Sequence, residues 1–422
     1  MTVAVGPILS LTHRSAKPAG EGKRRTIASL EPHSEFRILT CFQSSREVTG
    51  VINLLDASNP TRNSPVLISA VHLVENVGRA SAMLIVHDTC KTGGAGGDDK
   101  EQLELSAAAS AFEGLKAGRE DGTISVEALT AVSAYATMHE DICSLALEKH
   151  ASLVILPFQL KPAADGGVDG SSHDPLRGVN KSVMESARCS VAVLVDRGHR
   201  PPAALARLNS LGARHRSFIM LFVGGPDDRE ALAYAGRMSG NPGVSLTVMR
   251  FVTVSEEHVE LGTDGEGIEK VLDERSMEEF RHRTGSNKSV SFTEVAVRDG
   301  DEVVRAVNAM EGDGFELIIV GRGKGRDSRL AMGSAEWSEF PELGVLGDTL
   351  VCSSFAANAW ILVVQQGGGG GSGGGVSGRS ASSSSGQQSG KIGENLGHTT
   401  WQPRNVDRPD LAPFVCRGNK AC

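Results

Sequence analysis

The chain lacks the long apolar run that a transmembrane helix requires. Its 422 residues contain no stretch of about 18 or more consecutive apolar residues, so we expect no membrane span within it. An excess of basic residues is also missing, because 43 lysines and arginines are outnumbered by 51 aspartates and glutamates and the formal net charge is -8. Nucleic-acid binders normally neutralise phosphates with a basic surface. We therefore expect no nucleic-acid partner.

Disulfide and catalytic motifs are scarce as well. The seven cysteines lie far apart and form no C-x-x-C pair, which favours a reducing compartment. No Walker A string occurs, and the one G-x-S-x-G match, at 370–374, falls by composition within a Gly/Ser-rich run and not at a strand-to-helix turn. Ser171, Ser172, His173 and Asp174 are adjacent in one Gly-rich loop, whereas the residues of a catalytic triad come from separate loops. We read that loop as a turn and predict that the chain is not an enzyme.

A pattern of strand, loop, short helix and closing strand occurs twice. The first copy runs from LVILPF at 153–158 to VAVLVDRG at 191–198, and the second from ELIIVGRG at 316–323 to AWILVVQQ at 359–366. Runs of Val, Ile and Leu without polar alternation are typical of strands buried on both faces of a parallel sheet. Two copies predict two α/β domains.

Alternating strands and helices extend each copy towards the N-terminus. We predict strands at 36–42 and 66–73 with a helix at 48–59 between them, and a second domain that starts near RSFIMLFVGGPDD, where Asp227 or Asp228 caps the next helix. This alternation predicts two tandem doubly wound parallel-sheet domains. We expect two separate sheets of common topology, and one continuous sheet would contradict that expectation. The proposed segments are 1–35, the α/β domains 36–200 and 214–366, and a Gly/Ser-rich disordered tail at 367–422.

The first residues of the chain are apolar and the next are basic. MTVAVGPILSL is too short to cross a hydrocarbon core as a helix, which takes about 20 residues. Apolar residues followed by basic ones reverse the order of a signal peptide and match the cytoplasmic end of a final membrane helix. Composition alone favours a frayed, partly apolar tail.

Four strings carry a family resemblance: MHEDIC, VNKSVMESARCSVAVLVDRG, GGPDDREALAYAGRM and PELGVLGDTL. Together they resemble the cytosolic C-terminal half of plant cation/H+ exchangers, within the monovalent cation:proton antiporter family, over roughly residues 1–366. The resemblance implies that 1–35 is the end of the last membrane helix and a basic juxtamembrane linker, in place of a frayed tail. It also implies a regulatory portion of a K+/proton antiporter in potassium and pH homeostasis, not transport-competent alone because the membrane domain is missing.

The same resemblance implies the partners and the location. The partner would be the membrane antiporter domain of a full-length protein that forms a homodimer. The location would be the cytosolic face of an endomembrane, vacuolar or plasma membrane, and the chain alone would be cytoplasmic. Lys23, Arg24 and Arg25 would be placed to contact anionic lipid.

The two α/β units resemble universal stress protein domains, which have an adenine nucleotide alpha hydrolase-like fold. ATP-binding members carry a G-x2-G-x9-G-[ST] loop whose N–H groups cradle phosphates. Gly323, Gly333 and Ser334 keep the x9 spacing, but Val320 occupies the first glycine position. Gly321, Gly323, Gly333 and Ser334 are the candidate nucleotide site. We predict no resident cofactor and leave nucleotide binding open.

Metal and histidine sites have weaker support. His139 and Cys143 are four apart on a predicted helix, but two ligands are too few for a closed site, and we predict no metal. Glu140 and Asp141 are expected in the first turn of that helix. Two further histidines close apolar strands and are expected to be satisfied by hydrogen bonds: His72 and His87.

Three hypotheses remain from the sequence. The leading one is the regulatory region of a cation/H+ exchanger. The second is a free-standing tandem universal-stress-type protein that binds a nucleotide or a protein partner. The third is an enzyme that acts on a phosphorylated small molecule.

Overall fold

The computed structural model describes most of the chain between residues 25 and 368. The described ranges are 25–31, 33–76, 83–87, 99–160, 174–197, 215–254, 265–310, 314–323, 338–353, 355–356 and 359–368.

The first half of the described chain contains six strands and four helices. The strands are β1 (Phe36–Phe42), β2 (Val66–Glu75), β3 (Met83–His87), β4 (Ile124–Ser133), β5 (Leu153–Gln159) and β6 (Ser190–Asp196). The helices are α1 (Ser45–Ala57), α2 (Asp99–Ala117), α3 (Tyr135–Glu148) and α4 (Pro175–Ser186). The predicted strands at 36–42 and 66–73 are confirmed. Helix α3 begins before MHEDIC, so Glu140 and Asp141 do not lie in its first turn, and that prediction is wrong.

The second half repeats the alternation with five strands and four helices. The strands are β7 (Arg216–Phe222), β8 (Val244–Thr253), β9 (Val290–Val297), β10 (Leu317–Gly321) and β11 (Trp360–Gln365). The helices are α5 (Pro226–Met238), α6 (Gly265–Thr284), α7 (Gly300–Asn308) and α8 (Gly344–Cys352). The prediction that Asp227 or Asp228 caps α5 is wrong. The residue before the helix is Gly225, whose φ of 89° belongs to the left-handed region that favours glycine, and both aspartates lie in the first turn.

Both halves have the same strand topology. The sheet order is β3-β4-β2-β1-β5-β6-β11-β10-β7-β8-β9. Leaving β3 aside, each half holds five mutually parallel strands in which the first strand in sequence is central and the chain winds outward from it in both directions. The predicted doubly wound α/β class is confirmed. Strand β3 is an exception to the parallel pattern, because it pairs antiparallel with β4 at the sheet edge.

The expectation of two separate sheets is wrong. Strands β6 and β11, the last strands of the two halves, pair antiparallel with Val193 opposite Val363, so the eleven strands form one continuous sheet. Without this pairing each half would leave an apolar edge strand with unpaired N–H and C=O groups. The pairing buries both strands. Because β6 and β11 run antiparallel, the five parallel strands of one half run opposite to those of the other. The predicted ranges 36–200 and 214–366 contain β1–β6 and β7–β11, respectively. As domain bounds they remain a prediction.

Two hydrophobic cores lie on opposite faces of the sheet, and both halves contribute to each. One core contains buried side chains of α3, α4, α7 and α8, including Ile142, Val183, Val303 and Leu350. The other contains side chains of α1, α2, α5 and α6, including Leu55, Phe112, Tyr234 and Phe280. Burial of apolar area on both faces therefore stabilises the halves as one body.

None of the helices in the described ranges combines the length and the apolar character that crossing a bilayer requires.

Candidate functional site

Two of the four candidate nucleotide residues, Gly321 and Gly323, lie at the carboxyl end of β10, beside β7. Open α/β sheets bind ligands at this edge, where the strand order reverses. Gly321 ends β10, and Gly323 follows with a φ of 71°. Gly333 and Ser334 fall outside the described residues. The structure therefore describes two of the four predicted residues, and phosphate binding by this loop remains a prediction.

A buried carboxylate occupies the N–H groups of this edge. Asp228 in the first turn of α5 accepts hydrogen bonds from the N–H of Val223 (2.7 Å), Gly224 (2.7 Å) and Gly321 (3.1 Å). Its side chain is buried, so these three donors satisfy it in place of water. Backbone N–H groups at such a turn are what an anionic ligand would use. In this chain, a protein carboxylate already fills that role.

The glycine at position 321 is explained by packing against this aspartate. A Cβ atom on Gly321 would lie 2.1 Å from Oδ1 of Asp228 and 2.5 Å from its backbone nitrogen. No side chain fits at that distance. Close approach of β10 to α5 therefore requires glycine here whether or not a phosphate binds.

A second carboxylate covers the same turn from α6. Asp273 accepts from the N–H of Gly225 with both oxygens, at 2.9 and 2.8 Å, and its Oδ1 lies 2.5 Å from Nη1 of Arg229. Arg229 also pairs with Glu269 at 2.8 Å. Burial raises the pKa of Asp273, although Arg229 and the Gly225 N–H oppose the shift. The edge therefore holds two buried carboxylates close to one arginine.

The first half uses the same arrangement at its equivalent turn. Glu47 in the first turn of α1 accepts from the Gln43 N–H at 2.7 Å, and Glu104 of α2 accepts from the Ser45 N–H at 2.6 Å. Burial raises the pKa of Glu47 to about 7, and the charge of Asp174 adds to the shift. In both halves a carboxylate from the following helix satisfies the turn after the first strand.

The histidines singled out from the sequence are not brought together. His72 is buried, donates from Nε2 to the Gln43 carbonyl at 3.2 Å and stacks on Phe42, while the side chain of His87 is outside the described part. His150 lies two residues beyond the end of α3, and its Nδ1 donates to the Leu147 carbonyl at 3.0 Å. Nowhere in the described ranges do three His, Cys, Asp or Glu side chains converge as metal ligands would. In the loop around Asp174, Ser171 to His173 lie outside those ranges, and Asp174 itself caps α4 by accepting from the Leu176 N–H at 3.0 Å.

A further buried carboxylate, missed from the sequence, holds the segment that we expected to be a juxtamembrane linker and call the linker below. Glu230 of α5 is fully buried and accepts from the N–H of Ile27 and, at 3.3 Å, from the N–H of Ala28. The hydroxyl of Ser190, the first residue of β6, donates to the same carboxylate at 2.5 Å. Burial raises the pKa of Glu230, and these donors oppose the shift. One side chain thus joins the linker, the first half and the second half.

The residue that follows β11 contacts the same carboxylate. Gln366, just after β11, donates its N–H to Asp227 at 2.9 Å, and its side chain also hydrogen-bonds to Glu230. Arg25 forms a parallel β-bridge with Cys189, while Lys23 and Arg24 lie outside the described residues. We call the following set the linker anchor: the N–H groups of Ile27 and Ala28, Ser190, Asp227, Glu230 and Gln366.

Comparison with known families decides what the chain is. Residues 68–199 match the family described as plant cation/H(+) antiporter domain, and residues 215–365 match the plant cation/H(+) antiporter, C-terminal domain. The chain belongs to the plant cation/H+ antiporter family. The two matched regions correspond to the two halves of the sheet, apart from β1 in the first half.

Several curated relatives from Arabidopsis thaliana are antiporters by name. Cation/H(+) antiporter 15 is 42% identical over 377 residues, which are 86% of this chain and 45% of the relative. Cation/H(+) antiporter 23, chloroplastic, is 38% identical over 404 residues, which are 94% of this chain and 45% of the relative. The chain therefore spans a little under half the length of the curated relatives it matches.

Among solved structures, the chain is similar to a universal stress protein from Archaeoglobus fulgidus DSM 4304. The identity is 15%, the TM-score is 0.39, and the alignment covers 78% of this chain and 96% of that protein. The fold class given above rests on the strand order and does not depend on this likeness.

Proposed function

We propose that the chain is the cytosolic regulatory portion of a monovalent cation (K+)/proton antiporter that acts in potassium and pH homeostasis. Family membership and the antiporter names of the relatives support this proposal. Transport of ions needs ionisable groups within a bundle of membrane spans. The described helices supply no such span, so transport requires a membrane domain joined to this chain.

The linker anchor is the observation that carries the regulatory role. A linker that leads from a membrane helix can transmit a change only if its end is held by the regulatory domain. Ile27 and Ala28 are held by Glu230, which also contacts Ser190 of the other half. A displacement of Glu230 or Ser190 would therefore move the linker.

The partner in this proposal is the membrane antiporter domain of the full-length protein, which acts as a homodimer. The chain lies on the cytosolic face of the membrane, and the basic residues before the anchor contact anionic lipid: Lys23, Arg24 and Arg25. Such contacts are worth about 1 kcal/mol for each basic residue near the surface.

Catalysis and a resident cofactor are not part of the proposed function. Three carboxylates at the ligand edge are engaged in structural hydrogen bonds: the buried Asp228 and Asp273 and the half-buried Glu47. A general acid or base must reach a substrate proton, and these groups face backbone N–H donors instead. The alternative, a free-standing nucleotide-binding protein, has less support because Asp228 takes the Gly321 N–H.

The test joins this chain to the membrane portion of a relative such as cation/H(+) antiporter 15. Proton flux driven by a rubidium gradient is measured in vesicles for the joined protein, for the membrane portion alone and for the chain alone. The proposal expects no flux from the chain alone and an altered rate or pH response when the chain is removed from the joined protein. Equal flux with and without the chain would refute the regulatory role.

A further inference from the structure

A cleft lies at the amino ends of the strands, opposite the carboxyl ends where the turns described above are found. It is formed at the amino ends of β1, β5 and β6, has a volume of about 780 Å³, and one of its walls is the linker segment with Arg25, Ser29 and Ser34. Ligand sites commonly have volumes of about 300–1,000 Å³. The cleft therefore has room for a small polar ligand in contact with the linker.

The charge of this cleft is opposite to that of the chain as a whole. Three arginines and a histidine line it, namely Arg25, Arg37, Arg188 and His150, whereas Glu35 is the one carboxylate among its described lining residues. Two cysteines also line it, and burial raises the pKa of Cys143 to about 11 and that of Cys189 to about 12. These thiols are neutral at physiological pH, so they add no negative charge.

Two of the four basic side chains in this lining have acceptors close by in the protein. Arg37 pairs with Glu35 at 2.8 Å and reaches the Lys149 carbonyl at 3.4 Å, and His150 contacts the Leu147 carbonyl at 3.0 Å. Basic side chains often satisfy the last carbonyls of a helix in this way.

The other two arginines have no such explanation. Arg188 is exposed and Arg25 is half-buried, and within the described ranges neither side chain has a hydrogen-bond acceptor or a carboxylate partner, so both are available to a ligand in the cleft. Two unpaired guanidinium groups therefore line one cleft of an acidic protein.

We propose that this cleft binds a phosphate-bearing polar ligand, with Arg25 and Arg188 as the phosphate contacts. A guanidinium donates two parallel hydrogen bonds to a phosphate and suits it better than any other side chain. The exposed hydroxyls of Ser144 and Ser186 line the same cleft and add neutral donors. The phosphate belongs either to the headgroup of a membrane phosphoinositide or to a free inositol phosphate, since the chemistry recognised is the same.

Binding there would act directly on the linker. Arg25 lines the cleft and is bridged to Cys189, two residues before the linker anchor begins at Ile27. A ligand that contacts both Arg25 and Arg188 would add a second connection between the linker and the first half. This regulatory consequence rests on the proposed function, whereas the binding itself does not.

The experiment uses the full 422-residue chain and two probes. Free inositol trisphosphate is titrated by calorimetry, and cosedimentation is measured with phosphatidylcholine vesicles that contain or lack phosphatidylinositol bisphosphate. The test variant carries Arg25→Gln and Arg188→Gln, and the control variant carries Arg298→Gln, an exposed arginine between β9 and α7. We expect the double variant to weaken binding about tenfold or more, because each lost charged hydrogen bond is worth roughly that factor, and the control variant to match the unmodified chain.

Each outcome decides the proposal. Binding of free inositol trisphosphate that the double variant weakens supports the site with a free ligand, and binding to phosphoinositide vesicles alone supports it with a lipid. No binding of either probe, or binding that the double variant leaves within twofold while thermal melting shows a folded chain, overturns it. Confirmed binding with no effect on antiport in the joined protein would refute the regulatory role and leave the site standing.

Discussion

The guanidinium of Arg177 in the first half donates to the carboxylate of Glu342 in the second half, with Nε–Oε1 at 2.5 Å and Nη2–Oε2 at 3.2 Å. The pair connects α4 to the segment just before α8 and is largely shielded from water, with side chains that are 26% and 6% exposed. Arg177 also lies over the ring of Phe340, 4.8 Å from its centroid. Polar and aromatic contacts thus reinforce the continuity of the sheet.

Breaking this pair should destabilise the fold. Arg177→Met would leave the Glu342 carboxylate buried without its partner, at a cost of roughly 3 kcal/mol. Urea unfolding measures the change. The matched control is Arg62→Met, because Arg62 pairs with Glu120 on the surface, where both side chains are more than 70% exposed, and a loss of less than about 1 kcal/mol is expected. Equal losses in the two variants would contradict the structural role of the Arg177–Glu342 pair.

Gly321→Ala should also be destabilising. The new methyl group would clash with Asp228, including its backbone nitrogen at 2.5 Å, and such overpacking costs about 1–3 kcal/mol. Gly114→Ala on α2 is the control, because nothing lies within 4 Å of the added Cβ and a helical alanine is favoured by up to about 1 kcal/mol. Thermal melting distinguishes the two. An unchanged melting temperature for Gly321→Ala would show that Asp228 does not pack as described.

Glu47 should make the fold less stable as the pH rises. Its pKa is raised from 4.5 to about 7 by burial, so the folded chain binds this proton more tightly than the unfolded chain does between those values. Stability contributed by the protonated form is present at low pH and is lost as the pH rises through about 7. Glu47→Gln should remove this dependence and gain up to roughly 3 kcal/mol above pH 7.

Urea unfolding at about pH 5 and about pH 8 checks the Glu47 prediction. Glu113→Gln, an exposed change on α2, is the control and should keep the pH dependence of the unmodified chain. A Glu47→Gln variant with the same pH dependence as the unmodified chain would speak against a raised pKa.

Nucleotide binding at the carboxyl edge should be weak or undetectable. Asp228 holds the N–H groups that a phosphate would need, and a second carboxylate, Asp273, lies beside it. Calorimetric titration with ATP and AMP uses the full chain carrying Arg25→Gln and Arg188→Gln, so that the arginine cleft does not contribute, and is expected to give no micromolar binding. Micromolar affinity that Gly323→Val abolishes would reverse this conclusion and favour the free-standing nucleotide-binding protein.

The sequence predicts the strands well because their signal is local. The segments that became β5 and β10 are short runs of Val, Ile and Leu bounded by turn residues, and they are buried on both faces in the sheet. The repeated order of strands then predicts a doubly wound topology for each half.

The continuity of the sheet could not be predicted in the same way. Strands β6 and β11 have the composition of interior strands, but nothing in that composition says which partner lies on the outer side. The pairing of Val193 with Val363 joins residues far apart in sequence.

The burial of the carboxylates at the site could not be predicted from the sequence for a similar reason. Asp228 and Glu230 stand in the string PDDREAL, which is typical of an exposed first helical turn because carboxylates favour the positive end of a helix. Only contacts with segments distant in sequence, Gly321 for Asp228 and Ile27 for Glu230, show that both are buried.

The central claim is that the linker anchor couples this chain to a membrane domain. Its most direct test is rubidium-driven proton flux in vesicles for the joined protein, with Glu230→Ala compared with the exposed control Glu113→Ala and resistance to trypsin verifying that both remain folded. The account predicts that Glu230→Ala changes the flux or its pH response severalfold while Glu113→Ala does not. Identical flux in both variants would contradict it.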